Sequence, residues 1–119
     1  MKEIVAILRP GRLKQTKQKL AEKGFVACTE QRVFGRGKQR GLSYTAGPQE
    51  SGPENGHGIS FLPKRMLTLW VNDEVWEQAV AILLETNKTG EFGDGKIFVC
   101  PAEDAVRVRT DERHHAALV

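Results

Sequence analysis

Thr89-Gly-Glu-Phe-Gly-Asp-Gly-Lys-Ile-Phe-Val99 is the stretch on which the rest of the chain is organised. Gly90, Gly93 and Gly95 lead directly into Lys96. Glycine takes positive φ and lets another group approach the backbone. Successive amides in such a turn form a concave nest for an anion, and Lys96 adds a full charge at its lip. Gly90 with Gly95-Lys96 fits G-x-x-x-x-G-K, but Ile97 stands where a P-loop carries Ser or Thr for magnesium. A P-loop also opens a helix, whereas Lys96-Ile-Phe-Val-Cys100 is a β-branched and aromatic run that reads as a strand. The stretch therefore points to phosphate binding without P-loop hydrolysis. A glycine-rich turn with a solvated lysine fits the same residues.

Working outward, Glu3-Ile-Val-Ala-Ile-Leu8 reads as a buried strand ended by Pro10-Gly11. Residues 11–23 carry Leu13, Leu20 and Ala21 on one face of a surface helix, with Gly24 at the C-cap. Residues 25–34 alternate as a second strand and residues 65–71 form a third. Asn72-Asp73 are expected to cap a helix with Trp76, Ala79, Val80 and Leu83 on one face, running to about Thr86. Strand–helix–strand thus occurs twice. Two such units make an α+β, ferredoxin-like βαββαβ sandwich, with both helices on one face of an antiparallel sheet. The other face is left bare, and self-association is the economical way to cover it.

The 119 residues suffice for a single domain with a modest core. Net charge is +3, which suits an anionic small ligand as well as nucleic acid. Cys28 and Cys100 stand alone, without a Cys/His cluster, so zinc is not expected. Neither a signal-peptide core nor a membrane-length apolar run is present, and a cytoplasmic protein without direct membrane insertion is expected.

Residues 42–60 break every pattern. They hold Gly47, Gly52, Gly56 and Gly58 with Pro48 and Pro53, and read as an interaction loop. Gly35-Arg-Gly-Lys-Gln-Arg-Gly41 enters it and Phe61-Leu-Pro-Lys64 leaves it, with Lys64 at the end of a rigid turn. After the fourth strand, residues 101–105 look like one helical turn, and Val106-Arg-Val-Arg109 alternates as a strand. That spacing sets Arg107 and Arg109 on one face, about 6.5–7 Å apart, suited to successive phosphates. The tail, 111–119, contains His114-His115 without a third ligand and reads as flexible.

The motif at 89–99, followed by Glu103-Asp-Ala-Val-Arg-Val-Arg-Thr110, resembles the C-terminal motif of the PII signal-transduction proteins. Residues 4–10, 35–41 and 61–64 match that family in the same order, so the resemblance spans one PII-like domain over 1–119, with a T-loop at about 37–60. It implies a homotrimer, or a trimer mixed with a paralogue, with ATP or ADP in the clefts between subunits. It also implies 2-oxoglutarate bound with Mg-ATP at the base of the T-loop.

Carried over by position, the resemblance assigns nucleotide contacts to Ile7, Thr29, Gly35, Gly37, Lys38, Gln39, Trp70, Gly93, Asp94, Gly95, Lys96, Arg107 and Arg109. It assigns 2-oxoglutarate to Gln39, Arg40, Gly41 and Lys64, and the nucleotide-bound magnesium to Gln39. Leu42, Tyr44, Pro48, Pro53 and His57 fall in the partner-binding loop. The uridylylated Tyr-Arg-Gly-Ala-Glu-Tyr motif is absent, Lys38 replaces the usual arginine, and Thr68 and Trp70 stand where Glu and Val are usual. Residues 35–41, Pro63-Lys-Arg-Met-Leu67 and the long non-standard loop are most similar to the nitrogen-fixation-associated branch, which implies nitrogenase as the target. An ammonium transporter or a nitrogen-metabolism enzyme is the usual alternative.

Two readings from other classes fit less well. A phosphoryl-transfer enzyme lacks a nucleophile or base near the loop, since Asp94 in a glycine turn is a turn-former first. An RNA-binding module lacks the aromatic stacking pair expected on such a sheet, so no nucleic-acid partner is expected.

Overall fold

A computed structural model describes residues 1–37 and 61–118. Strand β1 spans Lys2–Leu8, and its period-two alternation buries Ile4, Ala6 and Leu8. A 3-10 turn at Pro10–Arg12 leads into helix α1, Leu13–Glu22. Strand β2 is Thr29–Gly35, strand β3 is Leu62–Val71, helix α2 is Trp76–Asn87 and strand β4 is Gly95–Pro101. The four strands lie in the order β2-β3-β1-β4, and every pairing is antiparallel. This is the ferredoxin-like arrangement that two interleaved strand–helix–strand units produce.

Register places the core. Ile4 pairs with Leu69 and Ala6 with Leu67, so these side chains share the face covered by the helices. Leu13 and Leu20 of α1 and Ala79 and Leu83 of α2 close over them. Thr16, not Ala21, completes the buried stripe of α1, because positions 13, 16 and 20 stack on one side of a helix while 21 turns outward. Its hydroxyl donates to Arg12 O at 2.7 Å and accepts from Asn87 Nδ2 at 3.1 Å, which ties α1 to the end of α2. The opposite sheet face carries Val5, Ile7, Met66, Trp70 and Phe98. Trp70 and Phe98 are 43% and 49% exposed there.

Several boundaries differ from the sequence expectation. Strand β2 begins at Thr29 and not at Phe25, because Gly24 (φ 91°) and Phe25 end α1. Gly24 N donates to Ala21 O and Phe25 N to Leu20 O, while the Phe25 ring packs on the core, as in a Schellman cap. Strand β3 begins at Leu62, so Lys64 lies within a strand and does not end a turn. Pro63 is tolerated because β1 pairs only from Arg65 onward, leaving β3 locally with β2 alone as its neighbour among the described residues.

Asn72 and Asp73 do not cap α2. The cap residue is Val75, without a side-chain bond; the Asp73 carboxylate sits 3.1 Å from the Met1 amine, and Asn72 Oδ1 meets the His115 ring. Residues 102–105 form no helical turn, and 106–109 form no strand beyond a single bridge from Val106 to Arg113. Residues 111–118 pack back on the segment that precedes them. A 3-10 helix spans His114–Leu118, and Asp104 holds Arg113 Nη1 at 3.0 Å and His114 Nδ1 at 3.2 Å.

Candidate functional site

The glycine loop between α2 and β4 is built around Asp94. Its Oδ2 accepts from Thr89 N at 2.7 Å and Gly90 N at 2.9 Å, and its Oδ1 from the Thr89 hydroxyl. Arg9, at the end of β1, adds a guanidinium bond to Asp94 Oδ1 at 2.8 Å and one to Phe92 O at 2.9 Å. The Thr89 hydroxyl is the largest influence on Asp94, followed by the Thr89 amide; with Gly90 and Arg9 they hold the carboxyl at about 2, against a weaker opposing effect of burial. Asp94 is thus an ionised post inside the loop, with both oxygens already engaged. That geometry makes it an organiser of the loop and gives no support to a direct phosphate contact.

Gly95 is where the loop meets the sheet. At φ 118°, a Cβ there would lie 2.0 Å from Ile7 O, so only glycine lets β4 begin against β1. The next residue, Lys96, pairs with Ile7 and projects onto the sheet face opposite the helices. Lys64 reaches the same corner from β3: it is 9% exposed and donates to Gly93 O at 2.9 Å. Burial, and then the Arg9 guanidinium, push the Lys64 pKa below its usual value, with Asp94 acting the other way. A buried ammonium whose acceptor is a neutral carbonyl is poised for an anionic partner.

These residues line a cavity of about 440 Å³ together with Ile7, Gly35, Arg36, Gly37, Phe92 and Phe98. Ile7, Gly35, Gly37, Lys64, Gly93, Gly95 and Lys96 are therefore brought together. A larger cavity, about 510 Å³, lies between α2 and β4, but its walls are chiefly Leu8, Val80, Leu83, Leu84, Ile97 and Val99. The chemistry of an anion site belongs to the smaller one.

Thr29 and Trp70 are not in that cavity. They line a separate hollow of about 250 Å³ with Cys28, Ala117 and Leu118. Arg107 and Arg109 lie beyond the far end of β4, whose seven residues separate them from the loop by about 20 Å of strand. They also do not share a strand face, because residues 108–110 turn. Within one copy, Lys96 and the arginine pair cannot meet on one phosphate chain. Lys38, Gln39, Arg40, Gly41, Leu42, Tyr44, Pro48, Pro53 and His57 lie outside the described residues.

Sequence reasoning missed the roles of Arg9 and Thr89 in holding Asp94, and the contact of Arg36 with Phe61. Arg9 is 85 positions from Asp94 and only the sheet register joins them. Arg36 sits over the Phe61 ring at 5.1 Å and braces the two ends of the long connection.

A family model described as "Nitrogen regulatory protein P-II" matches residues 1–112. The chain belongs to the P-II family. Among its P-II relatives, "Nitrogen fixation nifHD region glnB-like protein 2" of Methanococcus maripaludis is 48% identical over 121 residues, covering 99% of this chain and all (100%) of the relative. "Nitrogen fixation nifHD region GlnB-like protein 2" of Methanobacterium ivanovii is 44% identical over 123 residues, with both chains covered in full (100%). A solved Arabidopsis thaliana PII bound to citrate superposes with a TM-score of 0.76 at 30% identity, covering 98% of this chain and 88% of that one. The P-II family expected from the motifs at 4–10, 35–41, 61–64 and 89–110, and its nitrogen-fixation branch expected from 35–41, 63–67 and the long loop, are thus shown. Proteins of the P-II family are regulatory signal proteins.

Proposed function

We propose that this P-II protein binds ATP or ADP together with 2-oxoglutarate and, through residues 37–60, controls a nitrogen-fixation target, nitrogenase. The observation that carries the reading is the split of the candidate cations. Lys64 and Lys96 share one cavity at the loop end of the sheet, whereas Arg107 and Arg109 sit past the opposite end. A polyphosphate held by all four needs two copies, each giving one end. The bare sheet face with Trp70 and Phe98 supplies apolar surface for such an assembly, and a homotrimer closes it.

The residues present fit a nucleotide better than a resident metal. Among the described residues no group of three or more His, Cys, Asp or Glu is placed to hold a metal ion. Magnesium carried in on phosphates needs only one or two protein ligands, and Gln39 is the residue proposed for it. When bound, the nucleotide supplies the phosphate charge that Lys96 neutralises. Lys64 offers its buried ammonium to the far carboxylate of 2-oxoglutarate, replacing a neutral acceptor with a charged one. Since Gly37 lies in the same cavity, occupancy there biases the segment that begins at that residue. The effector and the target then oppose each other by equal factors, as linkage requires. The target is taken from the relatives' nifHD-region names. Among the described residues no helix is long and apolar enough to cross a membrane.

Calorimetric ATP titration with and without magnesium and 2-oxoglutarate tests the reading, with Gln39→Ala as the variant. Gln39→Ala is expected to keep ATP binding and lose the 2-oxoglutarate response. Wild-type effector binding in that variant would place the effector site elsewhere, and a monomer by light scattering would remove the two-copy site.

A further inference from the structure

The C-terminal segment does something the nucleotide reading leaves unused: it grips Arg107. Arg107 Nη1 donates to Glu112 Oε1 at 2.5 Å and Nη2 to Ala116 O at 2.8 Å. The backbone repeats the tie, with Arg107 N donating to Glu112 O at 2.8 Å and Asp111 N to Arg107 O at 2.8 Å. Thr110 Oγ1 donates to the same Glu112 oxygen at 2.7 Å, fixing the carboxylate in place. Asp111 (φ 63°) and His114 (φ 55°) bend the chain back to make this possible. Beyond it, Ala117 and Leu118 line the same hollow as Thr29 and Trp70.

We propose that Glu112 is an internal competitor for Arg107: its carboxylate occupies the guanidinium until a polyphosphate displaces it, and displacement loosens residues 112–118. The inference rests on Arg107 being a phosphate contact, as set out above. A carboxylate and a phosphate seek the same paired N–H donors, and both cannot take Nη1 and Nη2 at short distance without adjoining negative charges. The side chain of Arg107 is only 23% exposed, so the exchange takes place in partial shelter from solvent and its electrostatics are not fully screened. Loosening carries further because Arg107 is bonded to the 3-10 helix itself through Ala116 O. The tail would then report nucleotide occupancy.

The test uses the full chain, with ATP as the probe, in three proteins: wild type, Glu112→Gln and Arg107→Ala. Glu112→Gln keeps the size and one acceptor but removes the charge. It is expected to bind ATP about two- to fivefold more tightly, in keeping with a partly exposed charged pair. ATP is expected to speed hydrogen exchange in 112–118 of the wild type, read at His114 N, which donates to Ala105 O at 2.9 Å. Unchanged or weaker ATP binding in Glu112→Gln, or slower tail exchange with ATP, overturns the competition. Arg107→Ala separates the two layers. If it binds ATP as the wild type does, the phosphate role of Arg107 fails and the competition falls with it. If it loses affinity while Glu112→Gln gains none, the competition alone is wrong.

Discussion

Replacing Gly95 by alanine is the sharpest probe of the junction between loop and sheet. A Cβ at this position would stand 2.0 Å from Ile7 O, 3.2 Å from Ile7 C and 3.4 Å from Leu8 Cα, all backbone atoms of a central strand. The φ of 118° adds a strain that alanine bears at about 1–3 kcal/mol. Relieving the overlap means moving β4 off β1 where Leu8 faces Gly95 and Ile7 faces Lys96, at about 1 kcal/mol per weakened ladder bond. The sum is about 3–5 kcal/mol, a large share of the roughly 5–15 kcal/mol available to a domain. Urea unfolding at one protomer concentration measures it, because assembly would otherwise shift the midpoint. Gly24→Ala is the control, since its φ is 91° but nothing lies within 4 Å of the added carbon. It is expected to lose about 1–2 kcal/mol, the conformational part alone. If Gly95→Ala costs no more than Gly24→Ala, the close approach to Ile7 is not what demands glycine and the reasoning fails.

Three further outcomes follow from the same geometry. Lys96→Ala is expected to weaken ATP binding roughly tenfold or more, the loss of one charge-assisted contact of about 1.5–3 kcal/mol; unchanged affinity in calorimetry would remove Lys96 from the site. Asp94 has a folded pKa of about 2, below its ordinary 3.8, so its stabilisation of the loop is present above that ordinary value and is lost as pH falls through about 2. Protection of the Thr89 and Gly90 amides, taken relative to their intrinsic exchange at each pH, should fall across that window in the wild type, and Asp94→Asn should abolish that fall. Thr16→Val keeps the volume but strips Asn87 Nδ2 of its 3.1 Å acceptor and is expected to cost about 1–2 kcal/mol in thermal or urea unfolding.

Much of the architecture was legible in the chain because it depends on local period. The apolar run of residues 3–8 and the helical spacing of Ala79 and Leu83 are properties of near neighbours; the run forms a strand with Ile4, Ala6 and Leu8 buried, and Ala79 and Leu83 face the core. Gly24 announced the end of α1 for the same local reason. Where a residue's role depends on a distant partner, the reading failed. Asn72 and Asp73 have the composition of a helix cap, yet the Met1 amine and the His115 ring engage them first. Val106-Arg-Val-Arg109 alternates like a strand, but β4 already ends at Pro101 and, among the described residues, the segment's ladder is one bridge from Val106 to Arg113.

The candidate site divides along the same line. Gly93, Gly95 and Lys96 stood out as an anion-binding turn because glycine spacing and a following cation are visible in a single stretch. Only the tertiary structure showed that Lys64 buries its ammonium against Gly93 O, or that Arg9 braces Asp94 across the sheet. It also decided that Arg107 and Arg109 lie a whole strand away from Lys96. Sequence records which groups can bear charge or turn the chain. Strand register and order determine which of them meet, since contacts across a sheet join residues with no shared local pattern.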